Sequence, residues 1–153
     1  NDDVIVTLLM LDDVSEENGC TYVLPGSHRA EHFSHYRDGK FVGEIAPAQI
    51  PDIESRAAPA TGKAGDVILM HTWAVHGGPA NKSAKPRRLL ITDYTAADAY
   101  PLTPPKVGSP YCGEVVRGKA SPTARLISGI IELPPNYRDD SFFAVQGQET
   151  AIG

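Results

Sequence analysis

A histidine followed by two glycines, His76-Gly77-Gly78, stands eleven positions before Arg87 in the stretch 65–94. A neutral imidazole nitrogen can donate to a metal ion, and a guanidinium fork can take a carboxylate through two parallel hydrogen bonds. Glycines without Cβ atoms let backbone or ligand come close to such a histidine. Taken alone, His76 reads more readily as a structural histidine at a turn, since most lone histidines bind nothing. Arg87 is followed by Arg88. Because side chains alternate along a strand, only one of the two arginines can enter an interior, and the plain alternative is a solvated basic pair at a strand start.

Other histidines invite weaker readings. His71 lies five positions before His76, a separation that on one strand puts the two rings on opposite faces, so the pair does not form a two-histidine site. His32 and His35 have His-x-x-His spacing in a segment bounded by proline and glycine without cysteine companions, which reads as two solvated side chains. His28 follows Pro25-Gly26-Ser27 and reads as a structural part of that loop. Trp73 suits either a pocket wall or a core position with its N–H satisfied.

The elements that must position these groups are short. Gly65-Asp66 is turn chemistry before an aliphatic run, so a strand should begin at Asp66 or Val67. A second strand should follow from Arg87 towards Tyr94. Residues 4–11 (VIVTLLML) form a continuous apolar run of strand length, expected to be a buried central strand. Residues 12–19 form an acidic loop closing on Asn18-Gly19, and residues 20–24 read as a strand stopped by Pro25-Gly26. From Ser27 to Gly62 the pattern is irregular, with one short strand expected at 49–53; residues 29–62 read as an insertion over the mouth of a barrel. Residues 124–133 (ARLISGIIEL) suit a short helix or a strand, and periodicity does not choose between them. Short strands between turns, with little helical periodicity, predict an all-β sandwich or barrel.

Composition narrows the class. At 153 residues the chain is long enough for one domain with a real core, here 1–153. Fourteen basic and nineteen acidic residues give a formal charge of −5, and no basic patch points to nucleic acid. No apolar run reaches the roughly 18 residues of a membrane span. Two cysteines, Cys20 and Cys112, have no metal spacing and imply no disulfide framework, so a cytoplasmic location is expected. Oligomeric state is not legible.

Two segments carry a family resemblance. His76-Gly77-Gly78, Asn81 and Arg87 resemble the distal half of the iron site of phytanoyl-CoA dioxygenase-like oxygenases, and residues 17–29 (ENGCTYVLPGSHR) are similar to another segment of the same family. The resemblance implies a double-stranded β-helix, or jelly roll, with minor helix, and a facial triad of two histidines and a carboxylate holding Fe(II). It implies His76 as one iron ligand and Arg87, with Arg88 as the alternative, as the partner of the 2-oxoglutarate C5 carboxylate. It also implies His71, Trp73 and Gly78 as pocket-lining. Gly78 departs from the pattern, since many relatives carry a serine there.

The family's His-x-Asp or His-x-Glu motif occurs nowhere in this sequence. It is expected upstream of Asn1, making the chain a jelly roll without its N-terminal region and leaving sheet edges open. The implied activity is hydroxylation of a small organic substrate coupled to decarboxylation of 2-oxoglutarate to succinate. The alternative is a jelly-roll module that binds a small molecule or a partner without iron. A third possibility is an assembly in which another chain supplies the missing ligands.

Overall fold

The β-branched run after Asp3 forms a strand and the other elements assemble beside it. In chain order they are β1 (Val4–Met10), β2 (Thr21–Val23), β3 (Tyr36–Arg37), β4 (Lys40–Phe41), α1 (Ile50–Arg56), β5 (Ala58–Ala60), β6 (Val67–His71), β7 (His76–Gly77) and β8 (Leu89–Thr95). The structure is a computed structural model, and it describes residues 3–30, 32–99 and 110–125. Most of residues 124–133 therefore lie outside the described residues. The chain divides into two compact units. Among the described residues, one holds 3–30, 32 and 51–96, and the other holds 33–50, 97–99 and 110–125.

The first unit contains two three-stranded antiparallel sheets, ordered β6-β1-β8 and β5-β2-β7. Strand β1 is central as expected, with Leu8 opposite Ile68 on one side and Ile91 on the other. Its burial follows the pleat rather than the whole run. Leu8 and Met10 are buried, but Ile5 is 48% exposed and Leu69, on the same face of the sheet, is 72% exposed. The expectation of a strand buried throughout is thus corrected: alternate residues point to opposite faces, and only one face meets the core. That core joins Met10, Val14 and Cys20, against which Tyr22, Ile68 and Leu89 pack. Met10, Ile68 and Leu89 come from one sheet and Tyr22 from the other, so the two sheets face each other as in a jelly roll.

The acidic loop between β1 and β2 is tied down by its own side chains. Asn18, buried, accepts a hydrogen bond from the Ser15 amide (2.8 Å) and donates to the Asp13 carbonyl (2.8 Å). Asp13 accepts from the Ala64 amide (3.0 Å) and Lys63 Nζ (2.9 Å), bonds that hold its carboxyl below the usual carboxylate range. Gly19 closes the loop at φ +82°, and a Cβ there would stand 2.8 Å from the Pro79 carbonyl oxygen. Only glycine meets both demands. Pro59 lies in β5, an edge strand, where its missing N–H costs no ladder bond.

Two expectations for residues 27–62 change. The strand expected at 49–53 is a 3-10 turn, Pro47–Gln49, running into the helix α1. Pro47 and Pro51 suit the first turn of a helix and would break a strand ladder, and Asp52 pairs with Arg56 one turn later. The segment also contains a hairpin, β3-β4, closed by Asp38 and Gly39 at φ 48° and 73°. Two consecutive positive φ angles are what a two-residue hairpin turn needs, and Asp-Gly is its sequence signal. This hairpin belongs to the second unit, where the Tyr36 and Phe41 rings meet edge to face at 5.3 Å.

Truncation of the largest of the deeply buried core side chains should be costly. Met10→Ala is expected to lower unfolding free energy by about 2–5 kcal/mol, read as a reduced midpoint in urea denaturation at unchanged slope.

Candidate active site

His76 opens β7, and its position is set by hydrogen bonds on both sides of the strand pair β2-β7. Val23 lies opposite His76 in that pair. Leu24 donates its amide to the Val75 carbonyl (2.9 Å), and Val75 donates its own to Ser27 Oγ (2.8 Å), which in turn donates to the Leu24 carbonyl (2.8 Å). Ser27 is buried, so these bonds are shielded from water. The Pro25-Gly26-Ser27-His28 segment thereby clamps the residue before His76.

The His76 ring is held in one tautomer. Its Nδ1 lies 2.8 Å from the Ala74 carbonyl oxygen, which can only accept, so Nδ1 carries the proton. Nε2 is left with its lone pair on an exposed ring, the form a metal ligand takes.

The two arginines are separated decisively. Arg88 is exposed and locked to Asp12: Nε to Oδ2 at 3.0 Å, Nη2 to Oδ1 at 2.8 Å, and the Arg88 amide to Oδ2 at 2.8 Å. These bonds hold the Asp12 carboxyl down to about 2 from its ordinary 3.8, the Arg88 side-chain bond contributing most. Arg87 faces the other way, is half-buried, and keeps a buried Nε without a hydrogen-bond partner among the described residues. Its charge acts on Cys20, whose thiol is nonetheless pushed up by burial. A buried guanidinium N–H left open fits a carboxylate ligand, because leaving it unpaired is expensive.

The loop that delivers Arg87 is shaped by Asn81. Its Oδ1 accepts from the Ser83 amide (2.8 Å) and hydroxyl (2.9 Å), and its Nδ2 donates to the Lys85 carbonyl (2.7 Å). Gly78 sits against the second sheet, where a Cβ would lie 2.9 Å from the Cys20 carbonyl oxygen. The departure from serine therefore has a local reason: the backbone approaches too closely for a side chain.

His71 and His76 do not share a strand. His71 ends β6, His76 begins β7, and residues 72–75 turn between them, so the argument from strand parity does not apply to the pair. His71 Nδ1 accepts the Trp73 amide (3.1 Å) and its ring stands 5.8 Å from the Trp73 ring and 5.3 Å from that of His28. His32 is exposed, as expected of a solvated side chain, and its ring meets Trp73 edge to face at 4.0 Å. His35 lies in the other unit, its ring 6.2 Å from Phe41. Among the described residues, no three His, Cys, Asp or Glu side chains are grouped to hold a metal ion, and no helix is long and apolar enough to cross a membrane. His76 thus belongs to no such group among the described residues. Sequence reasoning missed the Asp12–Arg88 lock and the Ser27 clamp, because each joins residues far apart in the chain.

The Asp12–Arg88 pair carries a pH dependence. A carboxyl whose folded pKa is depressed adds stability that is present above its unfolded value and lost as pH falls towards the folded value. The wild-type urea midpoint should therefore drop between pH about 4 and about 2. In Asp12→Asn this part of the drop should be missing.

Comparison with known proteins identifies the family of the chain. The family model for phytanoyl-CoA dioxygenase matches residues 1–89. The chain is 31% identical over 138 residues to a probable alpha-ketoglutarate-dependent hypophosphite dioxygenase of Stutzerimonas stutzeri, covering 88% of this chain and 48% of that protein. It is 29% identical over 127 residues to an L-proline trans-4-hydroxylase of Streptomyces griseoviridis, covering 67% of this chain and 46% of that one. Among solved structures it resembles EctD from S. alaskensis with 2-oxoglutarate and 5-hydroxyectoine, at 26% identity and a TM-score of 0.50, over 61% of this chain and 31% of that one. The chain thus spans about half or less of the proteins it matches. With the family model covering more than half of its length, the chain belongs to the phytanoyl-CoA dioxygenase family.

Proposed function

We propose that this chain is part of an Fe(II)- and 2-oxoglutarate-dependent dioxygenase that hydroxylates a small molecule. The observation that carries the reading is the buried, unpartnered Nε of Arg87. His76, with Nδ1 satisfied by Ala74, would offer Nε2 to the iron. A His-x-Asp or His-x-Glu pair, which these 153 residues do not contain, would supply the other two ligands. When bound, iron and 2-oxoglutarate supply the oxidising chemistry, with succinate and CO2 as co-products.

The residues of this chain bind and orient. Arg87 takes the C5 carboxylate of 2-oxoglutarate, and the Asp12 lock on Arg88 keeps the neighbouring cation out of competition for it. The Ser27 clamp and the Ala74 contact hold the His76 ring at a fixed angle, so that little reorganisation is needed on metal binding. The wall formed by His71, Trp73 and Gly78 lines the substrate side. The relatives' names give hypophosphite and L-proline as their substrates, which supports a small polar substrate here. Both cysteines are free, which suits the reducing cytoplasm.

The two arginines provide the test. Calorimetric titration with 2-oxoglutarate in the presence of Fe(II) under argon should show binding weakened about 10- to 100-fold by Arg87→Ala, from losing a charge-assisted hydrogen bond of about 1.5–3 kcal/mol. Arg88→Ala should leave the affinity within about threefold. Equal losses in the two variants would remove Arg87 as the anchor, and an absence of succinate formation by protein carrying the whole triad would remove the oxygenase reading.

A further inference from the structure

We propose that the ring cluster of His28, His32, His71 and Trp73 binds an anionic group of the substrate, a carboxylate or a small phosphorus oxyanion, beside His76. The proposal rests on the oxygenase reading above and names the chemistry its substrate would present.

The four rings form a chain: His28 to His71 at 5.3 Å, His71 to Trp73 at 5.8 Å, and Trp73 to His32 at 4.0 Å. Three imidazoles gathered this closely suggest a metal, yet no three His, Cys, Asp or Glu side chains among the described residues are arranged to hold one. The ring nitrogens are therefore available for another ligand. His71 Nδ1 accepts the Trp73 amide, which puts the His71 proton on Nε2 and makes that atom a donor. The Trp73 indole N–H can only donate. Among the described residues, neither the indole N–H nor the His28 and His32 rings make a hydrogen bond, and no carboxylate pairs with any of the three imidazoles.

A cluster of donors without a carboxylate favours an acceptor-rich ligand, and imidazoles can gain a proton to meet a negative charge. A cationic ligand is the poorer fit, since His32 and His71 both contact the indole that would otherwise receive it. The cluster is adjacent to His76 by construction. Trp73 lies three residues before it, and His28 follows Ser27, whose hydroxyl accepts the Val75 amide. A ligand held by these rings would be presented on the side of His76 that the β6–β7 turn defines.

Trp73 is the only tryptophan in the sequence, so intrinsic tryptophan fluorescence reports on this cluster alone. The protein would be titrated at constant ionic strength with acetate, with inorganic phosphate and with acetamide, the last a neutral analogue of similar shape. A saturable change with acetate or phosphate and none with acetamide is expected, and the anion that saturates identifies the class. His71→Gln should weaken this response at least about tenfold, while Arg87→Ala should leave it intact. His28→Gln replaces His71→Gln should that variant not fold. No saturable change with either anion, an equal change with acetamide, or loss of the response in Arg87→Ala would overturn the proposal. Calorimetric 2-oxoglutarate binding on the same samples separates the two readings. Intact 2-oxoglutarate binding without an anion response overturns the anion site alone, whereas lost 2-oxoglutarate binding with a preserved response overturns the oxygenase reading alone.

Discussion

Met10 and Cys20 meet between two three-stranded sheets, one side chain from β1 and the other from the residue before β2, and both are almost wholly withdrawn from water at 2% and 0% exposure. The site depends on that contact. Arg87 precedes an edge strand of one sheet and His76 opens an edge strand of the other, so their relative placement follows from how the two sheets pack. Close approach is permitted where side chains are absent. A Cβ on Gly62 would lie 2.8 Å from Met10 Sδ, and one on Gly78 would lie 2.9 Å from the Cys20 carbonyl oxygen. The glycines that admit the sheets to one another thus include Gly78, two residues from His76.

Polar side chains of the loops do the finer positioning. Asp12 and Asp13 anchor the loop after β1 to the segments that lead into β8 and β6, through Arg88 and through Lys63 with Ala64. Asn18 and Asn81 each stand in for backbone partners that a loop cannot supply itself. Ser27 bridges two main-chain groups across the β2–β7 pair. The bonds of Asn18 and Ser27, which are buried or half-buried, add modest net stability but are costly to break on one side only, so they hold geometry more firmly than their net energy suggests. That property is what a metal ligand and a carboxylate anchor require.

The outer face of the first sheet has the opposite character. Ile5, Val67, Leu69, Leu90 and Tyr94 share it and are all exposed. The apolar runs of β1 and β6 are therefore two-sided in composition while one side holds their buried residues, and in β8 Ile91, on that inner face, is itself 58% exposed. A run of this kind is suited to a strand covered on both faces.

The sequence by itself determined the strand positions of β1, β2, β6 and β8 and the turns at Asn18-Gly19 and Gly65-Asp66, since each depends on neighbours within a few residues. Residues in direct succession also established that Arg87 and Arg88 must face opposite ways. Which of them faces inward was decided only by the tertiary structure, through an aspartate 76 positions away in the chain. The same holds for Ser27, whose partner Val75 lies 48 positions on, and for the ring cluster that joins His28 and His32 to His71 and Trp73. Residues 49–53, expected as a short strand, open a helix instead because Pro47 and Pro51 fit its first turns. Periodicity records which face of an element a residue occupies; it carries no information about what the facing element brings, and the chemistry of this site is made of such pairings.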